Sequence, residues 1–503
     1  MRCLDLPYEA NRRGLQVKRG RSDGQEIAAR LCRLAGGREG SFTTVKRFIS
    51  LRSISAAALL AWAAGCSPAS HSVSPGGGAQ AIPMAQQAES RPAPRAGSQG
   101  TKIQHVVIIV QENRSFDNLF QGFPKADTVS SGLDSSGNSI ALTPVSLATQ
   151  YVIDHSLTAY LAACDGSGSL PGTNCKNDGF NNEVSFDGPT KNPQYVYVPH
   201  NESKPYFDMA HEWVLADEMH QSHLDESFVA HQYIIAAQAQ SAVNLPSSYI
   251  WGCRPKGITV QMITQERELG NTEAACFDSE TIGDELDAAG LTWHFYTSVV
   301  KGDGGEWSGY QAISHIRNGP DWAADVITPQ TKFLTDVSKG LLENVTWITP
   351  ICANSDHVNC GGGFGPSWVT SLVNAVGESP FWDSTVIFVV WDDWGGLYDH
   401  VPPVFEDYDG TGFRVPLLVI SPYAKQDHVS HVMYETGSIL HFVEDTFGLA
   451  PLTTDGSDAR SNSPAKDCFD FNKPPRAFVP IKAPKDTDFF MHQFDDGRPP
   501  DDG

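Results

Sequence analysis

The chain has 503 residues, 40% hydrophobic and 10% aromatic, enough to bury a large core, and its size fits one large domain with long insertions. Its 59 Asp and Glu against 36 Lys and Arg give a net charge of -23, which argues against a nucleic-acid-binding surface, since that needs a basic patch. The 10 cysteines include no C-x-x-C pair, which argues against a zinc cluster, and no internal repeat is visible.

Residues 1–45 carry scattered Arg without a period. Val45 to Arg52 then forms a basic segment ahead of an apolar run, Ile54 to Ala64, too short to span a bilayer, which ends in Gly65-Cys66-Ser67. That order predicts a leader over 1–66 with the true start near Val45, and hence an exported, periplasmic or secreted protein. The Ala-Ala-Gly-Cys ending resembles a bacterial lipoprotein signal, with Ala63 where Leu is usual, so a membrane tether through lipidated Cys66 is expected. Residues 67–100, rich in Ser, Pro, Gly, Ala and Gln, read as a disordered tether. A catalytic domain is expected over 101–484 and a flexible tail over 485–503.

Within the domain, His105 to Val110 is a continuous run rich in β-branched residues, as suits a strand covered on both faces. Glu112-Asn113 follow it. Residues 120–200, rich in Gly, Ser, Asn and Asp, are expected as an insertion over the functional face. Residues 228–239 read as a helix for which Ser227 is the N-cap. Gly283 to Ala289 is a short helix leading into a strand over 291–296. Asn344 to Pro350 is strand-like, Pro366 to Val376 helical, and Thr385 to Val390 a second buried run. Asp392-Asp393 follow that run, flanked by Trp391 and Trp394 and backed by flexible Gly395-Gly396, which reads as an aromatic-lined, charged turn. Residues 415–422 form another strand, and Ser438 to Phe447 a helix stopped at Gly448. Proximity pairs Cys164 with Cys175, Cys253 with Cys276 and Cys352 with Cys360, leaving Cys468, a usage that belongs to an oxidising compartment.

Either acidic pair alone reads as a solvated loop or a cap. Ligands of open α/β sheets bind outside the carboxyl ends of the strands, so the two pairs can meet there, and three carboxylates with an amide make a hard-cation site.

The segments E-N-R-S-F-D at 112–117, W-D-D-W-G-G-L-Y-D-H-V-P-P at 391–403 and G-F-R-V-P-L-L-V-I-S-P at 412–422 resemble the bacterial phosphoesterase family of secreted acid phosphatases and phospholipases C, distant relatives of alkaline phosphatase. The resemblance spans about 102 to about 450 and implies an alkaline phosphatase-like three-layer α/β sandwich, its largely parallel sheet flanked by helices. It implies one divalent ion (Mg, Mn, Ca or Zn) held by Glu112, Asn113, Asp392 and Asp393, with Ser227 as nucleophile and further ligand. Ser222 is the competing nucleophile. Small residues are expected before the nucleophile, and Asp225-Glu226 depart from that pattern, two negative charges beside a phosphate site. His155 in I-D-H-S-L and His357 in N-S-D-H-V match the family's histidines, expected to hold phosphoryl oxygens or protonate the leaving group. His231, His294 and His400 are lesser candidates. Within the family, Ser at the nucleophile position and a chain ending soon after the core go with acid phosphatases, so a phosphomonoesterase is expected. The alternatives are a phospholipase C cleaving phosphodiester head groups and a metal- or phosphate-binding lipoprotein without turnover.

Overall fold

The computed structural model describes residues 102–299, 307–405, 407–495 and 497. The leader, the tether and the lipidation site at Cys66 lie outside the described residues.

Eight strands form the central sheet: β1 (His105–Gln111), β2 (Val214–Ala216), β3 (Trp293–Tyr296), β4 (Val326–Ile327), β5 (Val345–Ile348), β6 (Thr385–Trp391), β7 (Leu417–Ile420) and β8 (His428–Ser430), in the order β4-β3-β5-β1-β6-β7-β2-β8. All neighbours run parallel except β7, which is antiparallel to both β6 and β2. The expected strand over 415–422 is therefore present but reversed.

The helices used below are α1 (Phe116–Phe120), α2 (Lys204–Glu212), α3 (Ser227–Ala236), α4 (Ile282–Ala288), α5 (Gly365–Gly377), α6 (Gly437–Phe447) and α7 (Thr487–His492). Alternate side chains of a strand point to opposite faces. On β6 the Phe388 ring meets Phe442 of α6 with centroids 5.2 Å apart, and Trp391 meets Tyr206 of α2 at 5.0 Å. Helices therefore cover both faces, a three-layer α/β arrangement as expected. Every β6 residue is buried, as the continuous apolar run requires.

The register of β1 on β6 positions everything that follows. His105 faces Thr385 and Gln111 faces Trp391, so the two strands end level and the pairs after them lie side by side. The 120–200 segment contains small two-stranded pairings and a helix over Leu157–Cys164, and it reaches back to the sheet at His155. All three expected disulfides form, and Cys468 is a buried free thiol. The segment expected as a flexible tail from 485 instead contains α7, whose Phe490 packs on Trp368 of α5 at 5.3 Å. Its two phenylalanines were outweighed in the sequence by the acidic, Pro-rich residues after them. Among the described residues, no helix is long and apolar enough to cross a membrane.

Candidate active site

Asn113 sits in the left-handed region at φ 55°, which turns the chain sharply as it leaves β1. Its backbone N–H donates to Asp392 Oδ1 at 2.8 Å, and its amide Nδ2 donates to Asp393 Oδ1 at 3.1 Å. The two sequence pairs are thus joined directly. Gly395 and Gly396 serve this closeness rather than flexibility. Both are left-handed, at φ 61° and 70°, and an added Cβ would stand 2.7 Å from Asn113 O and 2.3 Å from Ile153 Cγ2 respectively. Trp391 and Trp394 are both fully buried, Trp391 packing on Tyr206 and Trp394 on Phe180 and Phe413.

Ser227 Oγ donates to Asp393 Oδ2 at 2.8 Å. Glu226 takes the N-cap position and Ser227 the first helical position of α3, so the helix starts one residue earlier than expected, and it ends at Ala236 rather than 239. The hydroxyl is consequently free of capping duty. Ser222, the rival nucleophile, accepts instead from the Gly437 N–H at 3.1 Å.

His155 Nδ1 lies 3.0 Å from Ile153 O, which assigns its proton there and leaves Nε2 to accept from Asn113 Nδ2 at 3.0 Å. Its Nε2 also lies 3.9 Å from both Glu226 Oε2 and Asp393 Oδ2. His357 stands with its ring centroid 6.4 Å from that of His155. Its Nδ1 accepts from Asn359 N at 3.3 Å, so its proton belongs on Nε2. The disulfide Cys352–Cys360 closes the loop that carries it. Burial, then the neighbouring His155 and Arg114, hold His357 well below the usual histidine range.

The charge balance explains why a cation suits the cluster. Burial and then the Asp392 charge push the Asp393 carboxyl well above the carboxylate range. Neither aspartate meets a lysine or arginine among the described residues, while Asn113 Oδ1 and Asp392 Oδ2 are buried and accept no hydrogen bond. Glu112, Asn113, Asp392 and Asp393 with Ser227 Oγ are therefore a donor set that fits a divalent ion.

Asp225-Glu226 do not oppose an anion as their formal charges suggest. Asp225 turns away to accept from Glu226 N at 2.7 Å and Asn244 N at 2.9 Å, and burial raises it to about 7. Glu226 is pushed well above the carboxylate range by burial, then by Asp225 and Asp393.

Of three further features, two escaped sequence reasoning and one, His231, was only a lesser candidate there. Arg114, within E-N-R, is buried and donates from Nε to Asp356 O at 2.7 Å, holding the turn before His357. His231, one turn beyond Ser227 on α3, places Nε2 3.3 Å from Glu112 Oε2 and 3.6 Å from Asp392 Oδ2. Its i, i+4 spacing from Ser227 was the signal. The third is a buried ionic cluster uniting the three motif blocks: Arg414 Nε donates to Asp399 Oδ1 at 2.8 Å, and His400 Nδ1 lies 2.6 Å from Asp117 Oδ2. His400 thus belongs to this cluster, and His294, 3.6 Å from Glu343, to a separate contact on β3. Neither joins the aspartates in any hydrogen bond or ion pair among the described residues.

Adjacent parallel strands that bring Glu112-Asn113 and Asp392-Asp393 to a buried helix-terminal serine form an arrangement suited to metal-assisted hydrolysis. The chain belongs to the Phosphoesterase family, which it matches over residues 103–450. It is similar to the non-hemolytic phospholipase C of Burkholderia pseudomallei, at 24% identity over 73% of this chain and 58% of the relative. Similar values hold for the hemolytic phospholipase C of Pseudomonas aeruginosa, 24% over 69% and 53%. Phospholipase C A of Mycobacterium tuberculosis is 24% identical over 76% of this chain and 79% of its own. The chain thus spans little more than half the length of the first two. A solved structure titled as a protein in the alkaline phosphatase superfamily from Vibrio parahaemolyticus aligns with 72% of this chain and 69% of its own, at 11% identity and a TM-score of 0.33, too distant to carry an argument.

Proposed function

We propose that the chain hydrolyses phosphate esters through a phosphoserine on Ser227, and that its substrate is a phosphomonoester. The observation that carries this reading is the Ser227 Oγ to Asp393 hydrogen bond of 2.8 Å beside the paired ends of β1 and β6.

The serine hydroxyl has a proton acceptor in Asp393 Oδ2. Its place in the first turn of α3 puts the helix N–H groups behind the incoming phosphate. Glu112, Asn113, Asp392, Asp393 and Ser227 Oγ would hold a divalent ion, which would supply Lewis-acid charge stabilisation there. As the Oγ–P bond forms and the ester P–O bond breaks, the serine proton passes to Asp393. The leaving alkoxide takes a proton that Glu226 gives up through His155 Nε2, 3.9 Å away. The neutral His357 offers its Nε2–H to a phosphoryl oxygen. Water then attacks the phosphoserine and returns a proton through His155 to Glu226, the Oγ–P bond breaks, phosphate leaves, and Ser227 recovers its proton from Asp393.

The family and the donor set support ester hydrolysis with a metal; serine at the nucleophile position favours the monoester. The relatives' names favour a second reading, phospholipase C. Export, with a lipid tether at Cys66, accords with the three disulfides.

The test measures the purified full chain, reconstituted with Mg, Mn, Ca or Zn in turn, on a chromogenic phosphomonoester and a chromogenic phosphocholine diester from pH 4 to 9. Monoester turnover, lost at least a thousandfold in Ser227→Ala, is expected. Diester cleavage moves the chain to the phospholipase C reading, and a fully active, folded Ser227→Ala refutes the mechanism. Silence on both esters favours a binding protein.

A further inference from the structure

His231 has no role in the scheme above, although it is buried against two of the carboxylates. Its Nε2 lies 3.3 Å from Glu112 Oε2 and 3.6 Å from Asp392 Oδ2, and these three atoms all fall within 4.8 Å of one another. Donor atoms about 2.1 Å from a single tetrahedral zinc ion stand about 3.4 Å apart, so both separations are those of neighbouring ligands.

A purely structural hydrogen bond explains the arrangement less well. The single Nε2 proton can serve Glu112, but Asp392 Oδ2 then keeps no donor, although Asp392 is only 1% exposed. A lone pair on Nε2 directed to the same point as the two carboxylate oxygens leaves every one of these atoms engaged.

We propose that His231 is a nitrogen ligand of the ion held by Glu112 and Asp392, and that the site therefore takes a borderline transition-metal ion in preference to Mg or Ca. The inference rests on the reading that a divalent ion occupies the site. Hard Mg and Ca ions select oxygen donors, whereas imidazole suits zinc and its first-row neighbours, so one nitrogen in the set changes the order of preference. The i, i+4 spacing of Ser227 and His231 then has a purpose: one face of α3 brings both the nucleophile and a ligand to the same ion.

The experiment uses the full chain stripped of metal by chelation, with His231→Gln alongside. Zn and Mg affinities are read by equilibrium dialysis with elemental analysis, and direct nitrogen ligation by electron paramagnetic resonance of the Cu(II)-loaded protein. Wild type is expected to show nitrogen superhyperfine coupling that His231→Gln lacks. The variant is expected to bind Zn at least tenfold more weakly with Mg affinity within threefold of wild type. Equal losses for Zn and Mg, or coupling retained in the variant, overturn the proposal, as His231 would then only position Glu112. Should His231→Gln fail to fold, His231→Cys replaces it, and the Co(II)-loaded protein is expected to gain a thiolate charge-transfer band; a folded Cys variant without that band also overturns it. A wild-type chain that binds no divalent ion at all refutes instead the metal reading beneath.

Discussion

Replacing Arg414 with Met probes whether the buried ionic cluster holds the motif blocks together. Arg414 is wholly buried, with Nε 2.8 Å and Nη2 3.2 Å from the Asp399 oxygens and Nη1 2.7 Å from Asp217 O. Its guanidinium also lies 3.6 Å from Asp117 Oδ2 and 4.8 Å above the Phe116 ring. Methionine matches the stem's length and leaves two buried carboxylates without their shared cation. Removing one partner of a buried pair costs about 3–5 kcal/mol. Roughly 390 ordered residues at about 2.1 cal/mol/K each give an unfolding entropy of about 0.8 kcal/mol/K, so Tm should fall by about 4–6 °C. Scanning calorimetry at pH 7 measures this. Adding Asp399→Asn to the variant removes one of the stranded charges, so the double variant should lose less than the sum of the two single losses. A Tm within about 1 °C of wild type for Arg414→Met, or strictly additive losses, would refute the assignment.

Three further outcomes are expected. Gly396→Ala puts a Cβ 2.3 Å from Ile153 Cγ2 at φ 70°, displacing the strand before His155, so kcat should fall at least tenfold, with circular dichroism confirming a folded chain; unchanged kcat would mean that His155 needs no such placement. Asp409, bonded to Tyr233 OH, is raised by burial to about 7 against about 3.9 when unfolded. The native state therefore holds the extra proton between those values, and this residue's contribution to stability falls as pH rises from about 4 to about 7. Asp409→Asn should raise Tm relative to wild type at pH 8 and leave it nearly equal at pH 4; the same shift at both values would refute the titration. Replacing Cys352 and Cys360 with Ser opens the loop holding His357, at a cost of about 2.5 kcal/mol for so short a loop. Calorimetry should show a Tm loss of about 3 °C, with kcat reduced further than that loss explains at 25 °C; an unchanged kcat would deny His357 its part.

What the sequence revealed and what it hid divide along a physical line. β1 and β6 were legible because a strand buried on both faces must be apolar throughout, and Glu112-Asn113 and Asp392-Asp393 because two such pairs behind two such strands can meet at the carboxyl edge of one sheet. The contacts that give those residues meaning were not legible, because they depend on register. A one-residue slip of β1 on β6 would part Asn113 N from Asp392 Oδ1, and nothing in either run forbids it. Ser227 was placed one position early because capping preference names the serine, whereas tertiary pull from Asp393 takes its hydroxyl and leaves the cap to Glu226. Asp225-Glu226 read as two charges since formal charge ignores burial, and the turn of Asp225 onto two backbone N–H groups is a tertiary fact.

Arg414 shows the same limit from the other side. G-F-R-V-P and D-H-V-P-P read as separate marks of the family, yet the arginine of one neutralises the aspartate of the other, and Asp117 of the first block joins through His400. A buried arginine is intelligible only with its carboxylates, which come from positions 15 and 297 residues back in the chain. The motif is thus two devices in series: Asp392-Asp393 provide the ligands, and six residues on, Asp399-His400 anchor the turn that presents them. An Asp393→Asn change should therefore cost turnover while the Arg414 cluster stays intact, and an Asp399→Asn change should cost stability first.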